Sequence, residues 1–259
     1  MPVAEEAGGR AGAFARYQLS SASRLRYTLA ELNLRDCHDL ERPLIVLDAG
    51  GGNGLIAEFL LELGHQVTIC DEDPEMLGQA EARLKARDLL ARCRLVQVSL
   101  EKMAETLKGD VFDLILCHHV LEYIDDGLRL LHVFHRLCRQ NGDLSLITLN
   151  PVSEVVRAIV FRQDPVEAAR KLTDFSYDAK WFGRARLYPL QDITARAQRA
   201  GWHLKDFRGI RVLADYVSEA VTQSREEELL RLEVLLASSD PYRRMGRYLQ
   251  FAFTRQTPD

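Results

Sequence analysis

Leu44-Ile-Val-Leu-Asp-Ala-Gly-Gly-Gly-Asn-Gly54 is the stretch that decides the fold. Four apolar residues after Pro43, with no polar break, fit a short strand buried on both faces. Asp48 closes the strand. Gly50, Gly51, Gly52 and Gly54 then make a turn whose bare backbone a ligand can touch. A helix follows, carrying Leu55, Ile56, Phe59, Leu60 and Leu63, and stops at Gly64.

The same rhythm continues outward. A second strand at 66–70 ends at Asp71, and Pro74 opens a helix with Met76, Leu77, Ala80 and Leu84 on one face. Further strands are predicted at 94–98 and 112–117, then a helix at 127–139, and Asn141-Gly142 turns into a fifth strand at 144–149. Alternating apolar strands and helices describe a parallel sheet covered on both faces. Right-handed crossovers then gather the carboxyl ends of the strands on one edge, where ligands bind. After Asn150-Pro151 the pattern changes. Residues 152–175 read as helical, 181–189 as an aromatic and basic loop, 190–200 as a helix, 202–212 as a strand, 214–237 as a long helix and 247–255 as a last strand. The expectation is an α/β chain with a mostly parallel seven-stranded sheet, helices on both faces and a helical insertion after the fifth strand. Residues 1–13 are small and polar and read as frayed, whereas 14–39 carry Leu25, Leu29, Leu32 and Leu34 as an apolar helical stripe. The expected organisation is an N-terminal helical lid segment at 1–39 and one domain at 40–259, with the insertion 151–189 and the helix 214–237 as a substrate lid.

Composition narrows the function. The chain has 259 residues, 47% hydrophobic and 28% charged, which excludes wholesale disorder. No run approaches the roughly 18 apolar residues of a membrane span. The first ten residues contain Glu5 and Glu6 and no apolar run, so they do not read as a secretory signal, and the expected location is the cytoplasm. Cys37, Cys70, Cys93, Cys117 and Cys138 form no CxxC pair, so a zinc knuckle is excluded, no metal is expected, and the thiols read as small reduced core residues. Residues 1–150 hold 16 Lys and Arg against 23 Asp and Glu, a net of −7, and residues 151–259 hold 18 against 15, a net of +3. Lys180, Arg184, Arg186, Arg196, Arg199, Lys205, Arg208 and Arg211 face only Asp192 and Asp206 within 180–211, which suggests an anionic partner for that half.

The glycine turn selects its ligand through its spacing. A dinucleotide turn reads G-x-G-x-x-G, but here Gly50-x-Gly52-x-Gly54 is followed by Leu55 in the sixth place. Asp48 stands two residues before the first glycine, where a carboxylate would repel pyrophosphate but could hold an ammonium group, directly or through water. Asp71 can accept hydrogen bonds from both hydroxyls of a ribose. The structural alternatives are that Asp48 caps a helix and that Asp71 caps the helix after Pro74.

Asp48, the GxGxG turn, Asp71 and the five-strand alternation resemble the class I S-adenosylmethionine-dependent methyltransferases, with their Rossmann-like fold. That resemblance implies S-adenosylmethionine as methyl donor and S-adenosylhomocysteine as product. It places Ser99-Leu100-Glu101 around the adenine, although Glu101 could equally cap a helix at 101–107. It also places Cys117-His118-His119-Val-Leu-Glu122-Tyr123 where acceptor and methionine moiety meet, with His118 in the pocket. A closer likeness runs from about residue 15 to 255. Val46-Leu-Asp-Ala-Gly-Gly-Gly-Asn-Gly54, Gly64-His-Gln-Val, Asp113-Leu-Ile-Leu-x-His118-x-Val-Leu-Glu122, Gly201-Trp202, Gly209-Ile-Arg-Val212, Asp215-Tyr216, Pro241-Tyr242 and Gly246-Arg247-Tyr248 resemble the bacterial tRNA 5-carboxymethoxyuridine methyltransferases. This implies methyl ester formation on a wobble-uridine carboxylate in the tRNA anticodon loop, with no DNA and no membrane as partner. It carries Arg26, Gly51, Gly52, Asp71, Leu100, Glu101 and His118 to cofactor positions, so the expected cofactor set is these with Asp48, Gly50 and Gly54.

A carboxylate is already anionic at pH 7 and needs no general base. Catalysis would come from positioning, for which an arginine fork suits two oxygens. Arg211 and Tyr216 are the first candidates, Arg247 and Tyr248 the second, with His118 beside them. The alternative is that both arginines are outward strand residues bonded to neighbouring acids. Trp181, Arg184 and Arg186, with Phe182, Tyr188 and Phe207, suit phosphate contacts and base stacking, while Trp202 reads as core. A small-molecule O-methyltransferase acting on a carboxylic acid or a phenol fits the same core; a phenol would need His118 or His119 as base. A binding module without turnover is a third reading, and Asp48 and Leu55 disfavour a dinucleotide dehydrogenase.

Overall fold

The structure, a computed structural model, describes residues 20–179 and 183–256. Among these the strands are β1 (Ile45–Ala49), β2 (Gln66–Asp71), β3 (Cys93–Gln97), β4 (Phe112–His118), β5 (Cys138–Leu149), β6 (Ser176–Ala179), β7 (Gly183–Arg186), β8 (Trp202–Ile210) and β9 (Tyr248–Arg255). Seven of them form one sheet in the order β3-β2-β1-β4-β5-β9-β8. β1 to β5 are parallel, and β9 runs antiparallel to both β5 and β8. The order reverses between β1 and β4, which opens a crevice at their carboxyl ends. The Rossmann-like, mostly parallel seven-stranded fold expected from the sequence is the one observed.

Alternation along the strands builds two cores. Leu47, Ile115, Phe251 and Phe253 pack with Phe134 and Trp202 on one face. Val46, Leu114, Ile69 and Tyr248 pack with Leu29, Leu34 and Leu60 on the other. The second face is covered by α1 (Ser21–Cys37), α2 (Leu55–Glu62) and α3 (Pro74–Lys85). α1 is capped by Ser20, whose hydroxyl accepts from the Ser23 N–H, and packs against β8, β9 and α2. The helix predicted to begin at 14 is thus described only from Ser21; residues 1–19 lie outside the described residues.

The C-terminal half corrects several expectations. The helix predicted at 127–139 is shorter: after α4 (Met103–Thr106), α5 spans Leu130–Leu137, and Cys138 already belongs to β5. Residues 152–175 form two helices, α6 (Pro151–Val160) and α7 (Pro165–Lys171). Each opens with an Asx cap and a proline: Asn150 accepts from the Val152 N–H, and Asp164 from the Val166 and Glu167 N–H groups. Part of the predicted loop is a hairpin, with β6 paired antiparallel to β7. Lys180, Trp181 and Phe182 lie outside the described residues. α8 (Leu190–Arg199) follows. The long helix predicted at 214–237 is broken into a turn at Ala214–Tyr216, α9 (Glu219–Ser224) and α10 (Glu226–Ser238). Glu233 of α10 holds that turn by accepting from the Val212, Leu213 and Ala214 N–H groups. All five cysteines are free. Among the described residues no cluster of His, Cys, Asp or Glu could hold a metal, and no helix is long and apolar enough to cross a membrane.

Candidate active site

The crevice between β1 and β4 holds a cavity of about 470 Å³, within the size range of cofactor sites. Its floor is the glycine turn. Gly50 has φ 76°, and its N–H donates to the Cys70 carbonyl at 2.7 Å. A Cβ there would lie 2.5 Å from Val120 Cγ2, and one on Gly51 would lie 2.6 Å from the Asp48 carboxyl. The turn therefore stays methyl-free for steric reasons on both sides. Gly54 does not line the cavity; it begins α2 with φ 73°, where its missing Cβ lets α2 sit against Ala80 and Ile69.

Two acids flank this floor, and neither is the cap that the sequence left open. Asp71 Oδ2 accepts from the Gly52 N–H at 2.9 Å and Oδ1 from the Asp73 N–H at 3.0 Å, while Asp73 caps α3. Each Asp71 oxygen keeps a lone pair for a ligand hydroxyl. Burial raises the Asp71 carboxyl, and the Asp73 and Gly52 N–H groups partly offset this. Asp48 is 4% exposed; burial, then the charge of Asp71, pushes it up to about 7. Leu100, Glu101 and Val98 line the next wall, and the N-cap of α4 is Lys102, not Glu101.

His118 and His119 sit at the end of β4. Burial, then the charge of His38, pushes the His118 imidazole down to about 3, and burial with Arg26 and His118 pushes His119 well below its ordinary value. Both are neutral at pH 7. His119 adopts φ 61° and presents its ring at 4.6 Å to Tyr248, edge to face. The far wall is aromatic and cationic. The Arg26 guanidinium lies 5.7 Å from the Tyr248 ring, and that of Arg247 lies 5.8 Å from the same ring and 5.2 Å from Tyr177. Burial raises the Tyr248 phenol, but Arg26, Arg211 and Arg247 together draw it below its ordinary value.

The cavity thus collects Arg26, Asp48, Gly50, Gly51, Gly52, Asp71, Leu100, Glu101, His118, Arg247 and Tyr248 from the sequence-predicted set. Arg211 and Tyr216 do not line it. The chain turns left-handed at Arg211, with φ 55°, and the carboxylate of Asp215, also bound by Arg157 at 2.8 Å, captures its guanidinium. Tyr216 stacks on Phe161 with ring centroids 5.6 Å apart. Arg184 and Arg186 line a second cavity of about 560 Å³ that meets the first at Glu122, Tyr123 and Ile124. Phe207 is not available to bases, being buried with Arg243 over its ring at 4.0 Å, and Tyr188 is buried with its hydroxyl accepting from the Gly127 N–H. No described residue of 214–237 lines either cavity.

Sequence reasoning missed Tyr27 and Tyr177 as wall residues, and left Glu122 and Tyr123 without roles inside their motif. Glu122 Oε1 accepts from the Leu149 N–H at 3.1 Å, Oε2 is buried without a partner among the described residues, and burial pushes the carboxyl up to about 7.

These residues fit a nucleoside cofactor that carries positive charge. The bare turn and the oriented Asp71 can hold a ribose, and Asp48 supplies an acid where a pyrophosphate could not approach. The chain belongs to the class I S-adenosylmethionine-dependent methyltransferases, and its methyl donor is S-adenosylmethionine. A model of the methyltransferase domain matches residues 47–146. The chain is 32% identical over 216 residues to the tRNA 5-carboxymethoxyuridine methyltransferase of Escherichia coli K12, spanning 80% of this chain and 78% of that one. It is 34% identical over 127 residues to a ubiquinone biosynthesis O-methyltransferase of Xanthomonas oryzae, 49% of each. Among solved structures, an S-adenosylmethionine-dependent methyltransferase of Mesorhizobium loti superposes with a TM-score of 0.63 at 18% identity, over 89% of this chain and 100% of that one.

Proposed function

We infer that the enzyme methylates a carboxylate oxygen of 5-carboxymethoxyuridine at the wobble position of tRNA, in the cytoplasm. The observation that carries this reading is the far wall of the cavity. Arg247 gives Nη1 to Glu154 and Ser153, while Nε and Nη2 make no hydrogen bond to a described residue. With the Arg26 and Arg247 guanidinium groups both near the Tyr248 ring, this wall suits an anionic acceptor rather than a neutral one. The likeness to the Escherichia coli enzyme over most of both chains supports the same acceptor.

When bound, S-adenosylmethionine would supply a methyl group on cationic sulfur for transfer to the acceptor oxygen, with S-adenosylhomocysteine as the product that keeps the carbon–sulfur electron pair. No proton moves when the acceptor is a carboxylate, so the neutral, weakly basic His118 and His119 are no handicap. Arg247 orients the carboxylate, Tyr248 offers its hydroxyl, and Asp48, Gly50–Gly52 and Asp71 hold the cofactor. The insertion contributes Tyr177 and Ala179 to the cavity and most of the second one, which supports reading 151–189 as the acceptor-side cover. Arg184 and Arg186, in that second cavity, suit the anticodon-loop phosphates. A small phenol is the other acceptor the site admits, because Glu122, near 7, could serve as its base. Incubating the enzyme with methyl-labelled S-adenosylmethionine and tRNA bearing 5-carboxymethoxyuridine tests the reading. Label on that tRNA supports it; no label, with cofactor binding intact, sends the search to small phenols and acids.

A further inference from the structure

Gln250 lies on β9 two residues beyond Tyr248 and does not itself line the cavity. It is 4% exposed and its amide is fully engaged. Oε1 accepts from Asn33 Nδ2 at 3.0 Å, and Nε2 donates to the Ala30 carbonyl at 3.4 Å and to Ser145 Oγ at 3.2 Å. Asn33 and Ala30 belong to α1, which also carries Arg26 and Tyr27 into the cavity wall. Ser145 is fully buried on β5, and its Oγ lies 3.0 Å from His118 Nε2. One amide therefore joins a cofactor-cavity histidine to a helix that lines the same cavity.

The hydrogen bonds of this chain favour one placement of its protons. A serine hydroxyl has one hydrogen to give and accepts on its lone pairs. The Gln250 amide fills one acceptor position of Ser145, and the other hydrogen-bond partner of the hydroxyl among the described residues is His118 Nε2, which is placed to accept its hydrogen. A ring nitrogen that accepts carries no proton, and the hydrogen bond at one nitrogen sets the tautomer of the other. With Nε2 accepting, the neutral His118 ring carries its proton on Nδ1, which makes no hydrogen bond to a described residue. Burial keeps the ring neutral, since it pushes the imidazole down to about 3.

We propose that Gln250 is a positioning residue of the methyltransferase: through Ser145 it fixes His118 as the Nδ1–H tautomer, a hydrogen-bond donor in the cofactor cavity, and through Asn33 and the Ala30 carbonyl it holds α1 as a fixed wall rather than a moving lid. The proposal needs no particular acceptor, so it stands or falls apart from the tRNA reading.

The test is nitrogen NMR on the full, unliganded chain labelled with ¹⁵N-histidine, with His118 assigned by loss of its signals in His118→Gln. Wild type is expected to show a protonated Nδ1 and an unprotonated Nε2. That pattern is the minor form of a free neutral imidazole, so it reports the chain directly. Gln250→Met keeps the volume but removes the donor; the His118 signals should shift toward the Nε2–H form, and the Kd for S-adenosylhomocysteine should rise by about tenfold. Amide exchange along Arg26–Asn33 should quicken in the same variant. A wild-type spectrum with the proton on Nε2 overturns the proposal whether or not Gln250→Met folds. An unchanged tautomer and unchanged Kd in Gln250→Met, or in Asn33→Leu/Gln250→Met if the single variant is unstable, overturns the role of Gln250.

Discussion

Arg247, just before β9, is ion-paired through Nη1 to Glu154 of the insertion helix α6, and the two side chains are 8% and 4% exposed. The pair ties the helical insertion to the cavity wall. It leaves Arg247 partly neutralised, a guanidinium that can orient an anion without fully discharging it. Removing one partner of a buried pair strands the other charge. Glu154→Ala is therefore expected to lower unfolding stability by about 3 kcal/mol in urea titrations. A loss below about 1 kcal/mol would show that water already screens the pair.

Arg247→Lys keeps the positive charge and loses the planar fork. The KM for the acceptor should rise by about tenfold, while the Kd for S-adenosylhomocysteine changes less than about twofold. Isothermal titration and initial rates separate the two. An equal loss in both would move Arg247 from the acceptor side of the cavity to the cofactor side.

Asp48 gives the site a pH dependence with a definite sign. Its carboxyl is pushed up to about 7 in the unliganded protein. A cationic cofactor prefers the ionised form, so below about 7 binding must release a proton. Affinity should fall with pH below that point, by up to about tenfold per unit for one group. Asp48→Asn should flatten the slope, and Glu122→Gln, which removes the other carboxyl near 7, should leave it. The raised value also means that the unliganded fold binds more protons than the unfolded chain, so Asp48 favours folding at low pH and that contribution is lost as pH rises through about 7.

Gly50→Ala meets two obstacles at once, φ 76° and the Val120 side chain at 2.5 Å. The backbone strain alone costs about 1–2 kcal/mol. Titration should show at least about tenfold weaker S-adenosylhomocysteine binding, whereas Gly78→Ala, with open space around its Cβ, should leave binding unchanged.

The β1–β5 half was legible because its signals are local. Apolar runs, the glycine turn and the strand-ending acids Asp48 and Asp71 each announce themselves within a few residues, and the crossover rule supplies the rest. The second half depends on contacts distant in sequence. Arg211 and Arg247 look alike as strand-edge arginines. Only the left-handed turn at Arg211 and the nearby Asp215 take the first away from the cavity, while Glu154, 93 positions back, leaves the second facing it. The split between α6 and α7 was written in Asp164-Pro165, a second capping signal after the one at Asn150-Pro151. Gln250 carried no local mark at all, a lone amide among the six buried residues that open its strand.

The most direct measurement is the mass of the wobble nucleoside after reaction with tRNA bearing 5-carboxymethoxyuridine, taken before and after mild alkali. Methyl transfer to the carboxylate predicts a gain of one methyl group that alkali removes, because an ester hydrolyses where an ether or N-methyl group does not. A methyl group stable to alkali, or no gain on a protein that still binds S-adenosylhomocysteine, would contradict it.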